Sequence, residues 1–465
     1  MAVDADPAAS PSTRSSLAGE RARMAGSRRG VLLEAAMMTA AAAFVVVMIL
    51  RRSAGRPVTR TLWAEDASQF LNGAYADQSP QGWFRPYGGY LHVLPRMIAT
   101  VAVEFPPQRL PWLMAVVSAV LGAGFLVLFA RGLRRWLPEA WMRAALVVAI
   151  GATPMIASEA GANVANLHWF VGLGLLGLVL MVPPRWPHAI AAGALAAVAA
   201  LTDGLSHPYA ALAVALLAVR VWRLRRGRVA DPVAARSDLL RTLPVTIATV
   251  AGVLAQSYVS LTTTRPRPPG LPPIGLREVV GRYHHTVLAD SLTLNNATDL
   301  QLLGQALVVV AAAVVAVRLA RRGGTTWGSL AVRAGVVVVM LAASFGIFAL
   351  SVVVNRSMSP RYYFVPAALI VTVAFVAVAG RALVQRVMVA GLTVAMLVSA
   401  VAYGEVTWRD RVQGPDVKQL LVKAPEQCAD GRARAVVLVA PYRWNGKQWR
   451  GHWPLAVPCE RLVDR

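Results

Sequence analysis

The sequence predicts an all-α polytopic membrane protein of about eleven transmembrane helices. It adds surface helices in the first extracytoplasmic loop and a small mixed domain at the C-terminal end. Three observations predict this class. Of 465 residues, 56% are hydrophobic and only 15% are charged, where a soluble domain carries about 25% charged residues. Apolar runs of about 20 residues recur along the chain, long enough to cross a bilayer as helices. The basic residues fall in short clusters between those runs, as topology determinants do. The net charge of +24 therefore argues for membrane orientation and against a nucleic-acid partner. Lys418, Lys423 and Lys447 are the only lysines, so nearly all the positive charge is Arg, as in a high-GC bacterial genome.

Residues 1–30 are rich in Ala, Ser and Arg without apolar periodicity and read as a disordered cytoplasmic tail. The run at 31–50 is too long for the apolar region of a signal peptide and is followed by "RRSAG". It reads as an uncleaved first membrane helix. Further helices are expected near 109–130, 143–157, 163–183, 189–202, 207–222, 242–262, 301–319, 334–354, 362–380 and 387–404. The run at 189–202 is short, and the "TDGLSHP" after it fits either a tight hairpin or a break within one helix.

The Arg clusters orient the bundle. Arg131, Arg134, Arg135, Arg143, Arg185, Arg220 to Arg241, Arg318 to Arg333, Arg381 and Arg386 fall on alternate connections. The connections after 157 and after 202 hold no Lys or Arg. The N-terminus is then cytoplasmic and the C-terminus extracytoplasmic, in a bacterial plasma membrane. Arg51 and Arg52 are a local exception. Residues 31–404 form the transmembrane module, with extracytoplasmic loops at 51–108 and 263–300. Within the first loop, "WFRPYGGYLHVLPRMIATVAVEF" reads as amphipathic helices lying along the membrane. Residues 405–465 form the small domain. There "ARAVVLVAP" reads as a buried strand and "YRWNGKQW" as an Asn-Gly hairpin. Cys428 and Cys459, the only cysteines, fall in this domain and are expected to form a disulfide.

Polar and ionisable residues collect at the predicted extracytoplasmic ends, which points to a polar cavity opening on that side. In "TLWAEDASQF" the acids Glu65 and Asp66 stand side by side. They suit a general base, a metal ligand or the first turn of a helix. On an α-helix neighbours diverge by about 100°, so one acid is expected to take the central role and the other to support it. "SEAGANVANLHWF" supplies Glu159, Asn163, Asn166 and His168; the first three, at i, i+4 and i+7, fit one helical face. The next turn adds Asp203, Ser206 and His207, and the 263–300 loop adds Tyr283, His284, His285 and Asp290. Arg356, Arg361, Tyr362 and Tyr363 in "NRSMSPRYYF" read as an anion site at the membrane surface. Arg85 and His92 from the first loop join the candidate binding residues. There is no HExxH, no paired CxxC and no Walker loop. A divalent metal suits the acid pair, but no motif demands one.

With its acidic pair early in a large first loop, its "PRYYFVP" stretch (Arg361, Tyr362, Pro366) and its N-in, C-out helix arrangement, the chain resembles the C-type (GT-C) membrane glycosyltransferases. The resemblance covers the architecture of roughly residues 31–404 and names no subfamily. It implies inverting transfer of a sugar from a polyprenyl-phosphate donor to a glycan, lipid or protein acceptor. In that reading Asp66 is the base, Glu65 assists, and Arg361 with Arg356 holds the lipid phosphate. The alternative is a transporter or flippase of a lipid-linked sugar. No clear inverted repeat supports that alternative.

Overall fold

Runs of Ala, Val and Leu satisfy their own backbone in a helix, the simplest arrangement when water is absent. The computed structural model follows that rule. It describes residues 11–51, 57–63, 65–153, 156, 160–263, 274–283, 287, 327–355, 360–379, 383–402, 416–422, 424–429, 434–438, 441–444, 447–450 and 454–463. The expected helix at 301–319 lies outside them, as do Glu159, His284, His285, Asp290 and Arg356.

The helices of the bundle are α1 (Pro11–Arg51), α4 (Leu110–Gly132), α5 (Ala140–Ala152), α6 (Leu167–Leu180), α7 (Trp186–Ala200), α8 (His207–Arg225) and α9 (Pro232–Thr262). They continue with α11 (Trp327–Asn355), α12 (Phe364–Val378) and α13 (Leu383–Ala402). Among the described residues, five segments are long and apolar enough to cross a membrane: Gly30–Arg51, Pro107–Arg135, Pro232–Thr262, Ala334–Val353 and Arg361–Val378. Ala140–Ala152, Leu167–Leu180, Trp186–Ala200 and Leu383–Val398 are shorter apolar helices. The chain is therefore a predominantly helical, membrane-embedded protein.

Two expectations need correction. The helix of α1 already starts at Pro11, so the tail expected to be irregular is helical from residue 11. Ala, Arg, Met and Glu in that stretch are good helix formers even without an apolar stripe. The segment expected to be helical from 163 is a loop until Leu167, for a reason given below. The "TDGLSHP" ambiguity resolves as a tight turn over 201–206 between two separate helices.

One end of the bundle carries the segment 57–109, called here the loop end. Its parts are short: a π-helical turn over Asp66–Leu71, α2 (Asn72–Ala76), a 3-10 turn over Pro80–Phe84 and α3 (Val93–Ala102). Between the last two, Tyr87 and Tyr90 pair across a two-residue turn whose Gly88 and Gly89 both have positive φ, 62° and 85°. A side chain at either glycine would be strained, so this tight reversal needs both. The side chains of Gln256 on α9 and Thr202 stitch the segment to the bundle. Gln256 accepts from the Leu91 amide at 2.8 Å and donates to the Leu91 and Ala200 carbonyls. Thr202 accepts from the Leu94 amide at 3.0 Å.

The opposite end is held by ion pairs. Arg143 on α5 is almost wholly buried. It meets Glu34 of α1 at 2.8 Å and donates to the carbonyls of Leu137 and Pro138. Arg386 on α13 pairs with Glu139 at 3.0 Å.

The C-terminal residues form α14 (Val417–Val422), α15 (Ala424–Ala429), β1 (Ala435–Leu438), β2 (Pro441–Trp444), β3 (Lys447–Arg450), β4 (Leu455–Pro458) and α16 (Glu460–Val463). β1 pairs antiparallel with β4, Val436 opposite Val457. β2 pairs antiparallel with β3, Trp444 opposite Lys447. Cys428 and Cys459 are joined. Leu421, Cys428, Val436, Leu455 and Val457 share one buried cluster with Phe70, Leu71, Ala99 and Val103 of the loop segment. The module therefore completes a core begun some 350 residues earlier. Asn72 fixes the register of docking: it donates to the Pro454 carbonyl and accepts from the Ala456 amide, both at 2.8 Å.

Asn72→Ala removes both bonds and leaves two partly buried backbone groups unpaired, at a cost of about 1–3 kcal/mol. The expected result is a lower thermal unfolding midpoint in detergent and faster proteolysis after residue 416, with the disulfide intact. An unchanged midpoint and digestion rate would show that the apolar cluster alone holds the module.

Candidate functional site

The acid pair divides its work. In the π-helical turn the two side chains leave in different directions. Asp66 points inward and is 2% exposed. Its Oδ1 accepts from the Ala165 amide at 2.8 Å and its Oδ2 from the Val164 amide at 3.2 Å. Glu65 is half-buried at the start of the turn and receives the Tyr87 hydroxyl at 3.4 Å.

The Asp66 contacts explain why residues 160–166 are not helical. The amides of Val164 and Ala165 point at a carboxylate 98 and 99 residues away in sequence, not at a preceding turn. Ala162 sits in the left-handed region at φ 52°, which costs a non-glycine residue about 1–2 kcal/mol. The Asn163 side chain accepts from the Asn166 amide at 3.0 Å and caps the loop. Helix α6 then begins at Leu167, so Asn163 and Asn166 share no helical face. Ala165 relays the Asp66 contact: its carbonyl meets His168 Nδ1 at 2.9 Å. A carbonyl only accepts, so Nδ1 carries the proton and Nε2 is the ring's acceptor.

His168 belongs to a chain of rings along the loop end. His92 lies 6.0 Å from His168 and 4.1 Å from Tyr90, measured between ring centroids. Tyr87 and Phe70 close on the other side of His92, at 5.8 and 5.5 Å. Trp169 follows His168 and stands 5.7 Å from Tyr362, over whose ring the Arg361 guanidinium lies at 5.3 Å. Neither ring nitrogen of His92 nor the indole nitrogen of Trp169 has a hydrogen-bond partner among the described residues, though all three are buried. The Tyr87 carbonyl is near enough to His92 to favour its charged form slightly, without reaching hydrogen-bond geometry.

Electrostatics confirm the convergence. The Tyr90 hydroxyl is pushed up mainly by burial, then by the negative charges of Asp203 and Glu65 and the Tyr362 hydroxyl, with Arg361 opposing. Four of the expected residues thus act on one phenol. Burial, followed by His168 and Arg96, drives His92 well below its ordinary value, so it is neutral at pH 7. Asp203, in the 201–206 turn, is raised from 3.8 to about 7 by burial, against the opposing bond from the Leu205 amide. Its carboxylate sits over Gly172, where a Cβ would come 2.6 Å from Oδ2.

Glu65, Asp66, His92, Asn166, His168, Asp203, Arg361 and Tyr362 therefore gather at one end of the bundle. Arg85 does not join them; it lies with Arg96 on the far side of Phe70. Tyr283 is elsewhere too, bonded to Ser344 and packed on Phe345 and Phe348. Sequence reasoning passed over Tyr87, Tyr90 and Trp169. The paired glycines between the two tyrosines were the available signal. No three His, Cys, Asp or Glu side chains come together as metal ligands among the described residues. No family model, no curated protein and no solved structure matches the chain.

Two outcomes are expected. In Asp66→Asn an NH2 replaces one carboxylate oxygen and cannot accept, so in the native geometry one of the two amides loses its acceptor. Hydrogen exchange at Val164 or Ala165 should rise at least about fivefold, as a loss of about 1–3 kcal/mol implies; unchanged exchange at both would show the loop holding itself. For Asp203, the folded pKa of about 7 exceeds the ordinary 3.8, so folding takes up a proton between those values. Thermal stability should fall as pH rises from 4 to 7 and level off above. Asp203→Asn should flatten that dependence, measured as unfolding midpoints in detergent.

Proposed function

We propose that the chain is a membrane glycosyltransferase that moves a sugar from a polyprenyl-phosphate donor to a cell-envelope acceptor on the extracytoplasmic face, with inversion. The observation that carries the reading is the set of groups around Tyr90. The Glu65 carboxylate and the Arg361 guanidinium both act on its phenol. Packed near it are His168, His92, whose two ring nitrogens are unpaired among the described residues, and the rings of Tyr87 and Trp169. Neutral donors and acceptors among aromatic faces suit a sugar, which offers hydroxyls at its edge and C–H groups on its faces.

The chemistry follows from those parts. The acceptor hydroxyl oxygen attacks the anomeric carbon from the face opposite the phosphate. Its proton passes to a carboxylate. The bond from the anomeric carbon to the phosphate oxygen breaks, and the polyprenyl phosphate leaves with the electron pair beside Arg361. A guanidinium there stabilises the charge as it develops. The resemblance implies Asp66 as the base and Glu65 as support. The geometry favours the exchange of those roles. Asp66 is 2% exposed and both its oxygens already accept backbone amides, so it is poorly placed to take the acceptor's proton. Glu65 is more exposed and bonded only weakly, through Tyr87. Asp66 then positions His168 and the loop, and Asp203 and His92 bind substrate hydroxyls.

One variant and the wild-type protein test the assignment. In membranes supplied with labelled polyprenyl-phosphate sugar, Glu65→Gln should lower kcat by about 10²- to 10⁴-fold while the unfolding midpoint stays near wild type. Full transfer by that variant would remove Glu65 as the base. Transfer of no sugar by the wild-type protein, together with sugar-lipid movement across vesicles, would favour the transporter reading.

A further inference from the structure

Phe70 has two sides. One faces His92 and Tyr87; over the other lies the guanidinium of Arg96, 5.6 Å from the ring centroid. Arg96 belongs to the inward face of α3, in line with buried Ala99 and Val103, and is itself 6% exposed. Among the described residues its side chain makes no ion pair and no hydrogen bond, and its Nε is enclosed without an acceptor. Arg143, also deeply buried and likewise unpaired at Nε, has a carboxylate and two carbonyls on its Nη atoms. A buried charge left unpaired is destabilising by several kcal/mol, about what the desolvation of one ion costs. The molecule carries that cost at Arg96 and avoids it at Arg143.

The Arg96 guanidinium opens into a cleft lined by Gly73, Ala74, Gly82, Thr100 and a second cation, Arg85. Burial and the charge of Arg85 lower Arg96 to about 10, so it stays charged at neutral pH. Asp77 also borders the cleft, with its carboxylate held by the Ser79 amide at 2.9 Å, so two cations face one carboxylate and the lining is net positive. Nη1 of Arg96 lies so close to Gly73 that a Cβ there would stand 3.2 Å away, so the glycine leaves room for the guanidinium at the cleft wall.

We propose that this cleft binds a phosphate-type oxyanion through Arg96 and Arg85, at a site separate from Arg361. The planar fork of a guanidinium matches two oxygens of such a group, and a second Arg closes the remaining side. The group could be a lipid headgroup or a soluble phosphate, since both present the same oxygens. The inference does not depend on the transfer reaction: the site stands if the chain moves no sugar.

The test uses the full chain carrying Arg361→Gln, purified in a phosphate-free maltoside detergent, so that the other anion site is removed. One arm titrates inorganic phosphate against potassium chloride of equal ionic strength and reads the unfolding midpoint. The other adds phosphatidic acid, or diacylglycerol as its uncharged counterpart, and reads bound lipid by native mass spectrometry. Saturable stabilisation by phosphate that adding Arg96→Gln weakens at least tenfold identifies a soluble oxyanion. Retained phosphatidic acid, lost on adding Arg96→Gln and without a phosphate effect, identifies a lipid headgroup. Adding the exposed Arg85→Gln, which leaves the buried core untouched, should weaken the same binding at least threefold and covers the case in which Arg96→Gln does not fold. Binding of neither probe, or binding indifferent to Arg85 and to any folded Arg96 variant, overturns the proposal.

Discussion

Without Asp66, the amides of Val164 and Ala165 would be buried donors with nothing to bond. Buried backbone donors are almost always paired, and here the pairing partner comes from another part of the chain. Most of the loop end hangs on this one contact. On one side it fixes the loop that caps α6 and, through the Ala165 carbonyl, the tautomer of His168. From His168 the order passes to Trp169 and Tyr362. On the other side it sets the turn that presents Phe70, against which both His92 and Arg96 rest. A carboxylate is suited to this because it accepts two amides at once and strengthens both bonds by its charge.

The helices were legible because each apolar run closes its hydrogen bonds locally. The loop at 160–166 was not. Glu159, Asn163 and Asn166 carry the spacing of a helical face, and nothing nearby in sequence announces that Ala162 turns left-handed or that two amides are claimed by Asp66. A contact across nearly a hundred residues leaves no periodic trace. The division of labour within Glu65-Asp66 was hidden for a related reason. The angle between adjacent side chains depends on the kind of helix, and a π-helical turn is chosen by its surroundings. Arg96 was legible and passed over: a cation three and seven residues before Ala99 and Val103 stands on the apolar face of α3.

The two buried arginines show how one residue type serves two ends of a bundle. Arg143 pairs both its Nη atoms within the protein, leaving only Nε unpaired, and joins α1 to α5. Arg96 leaves its donors unsatisfied and faces a cleft. The same contrast holds among the histidines. His168 is anchored through Nδ1, while both nitrogens of His92 remain open. Unsatisfied groups cluster at the loop end, and the neutral state of His92 means they offer hydrogen bonds without adding charge.

The core shared by residues 62–74 and the strands β1 and β4 sets an order on how the molecule comes into being. The ribosome makes the Asp66 turn before most of the bundle and its apolar backing after it. Until Leu455 and Val457 arrive, the part of this cluster around Leu71 faces solvent or a chaperone. The loop end is therefore finished only after residue 457 has been made. A chain released before residue 455 would carry every membrane helix and still lack the wall behind its own site.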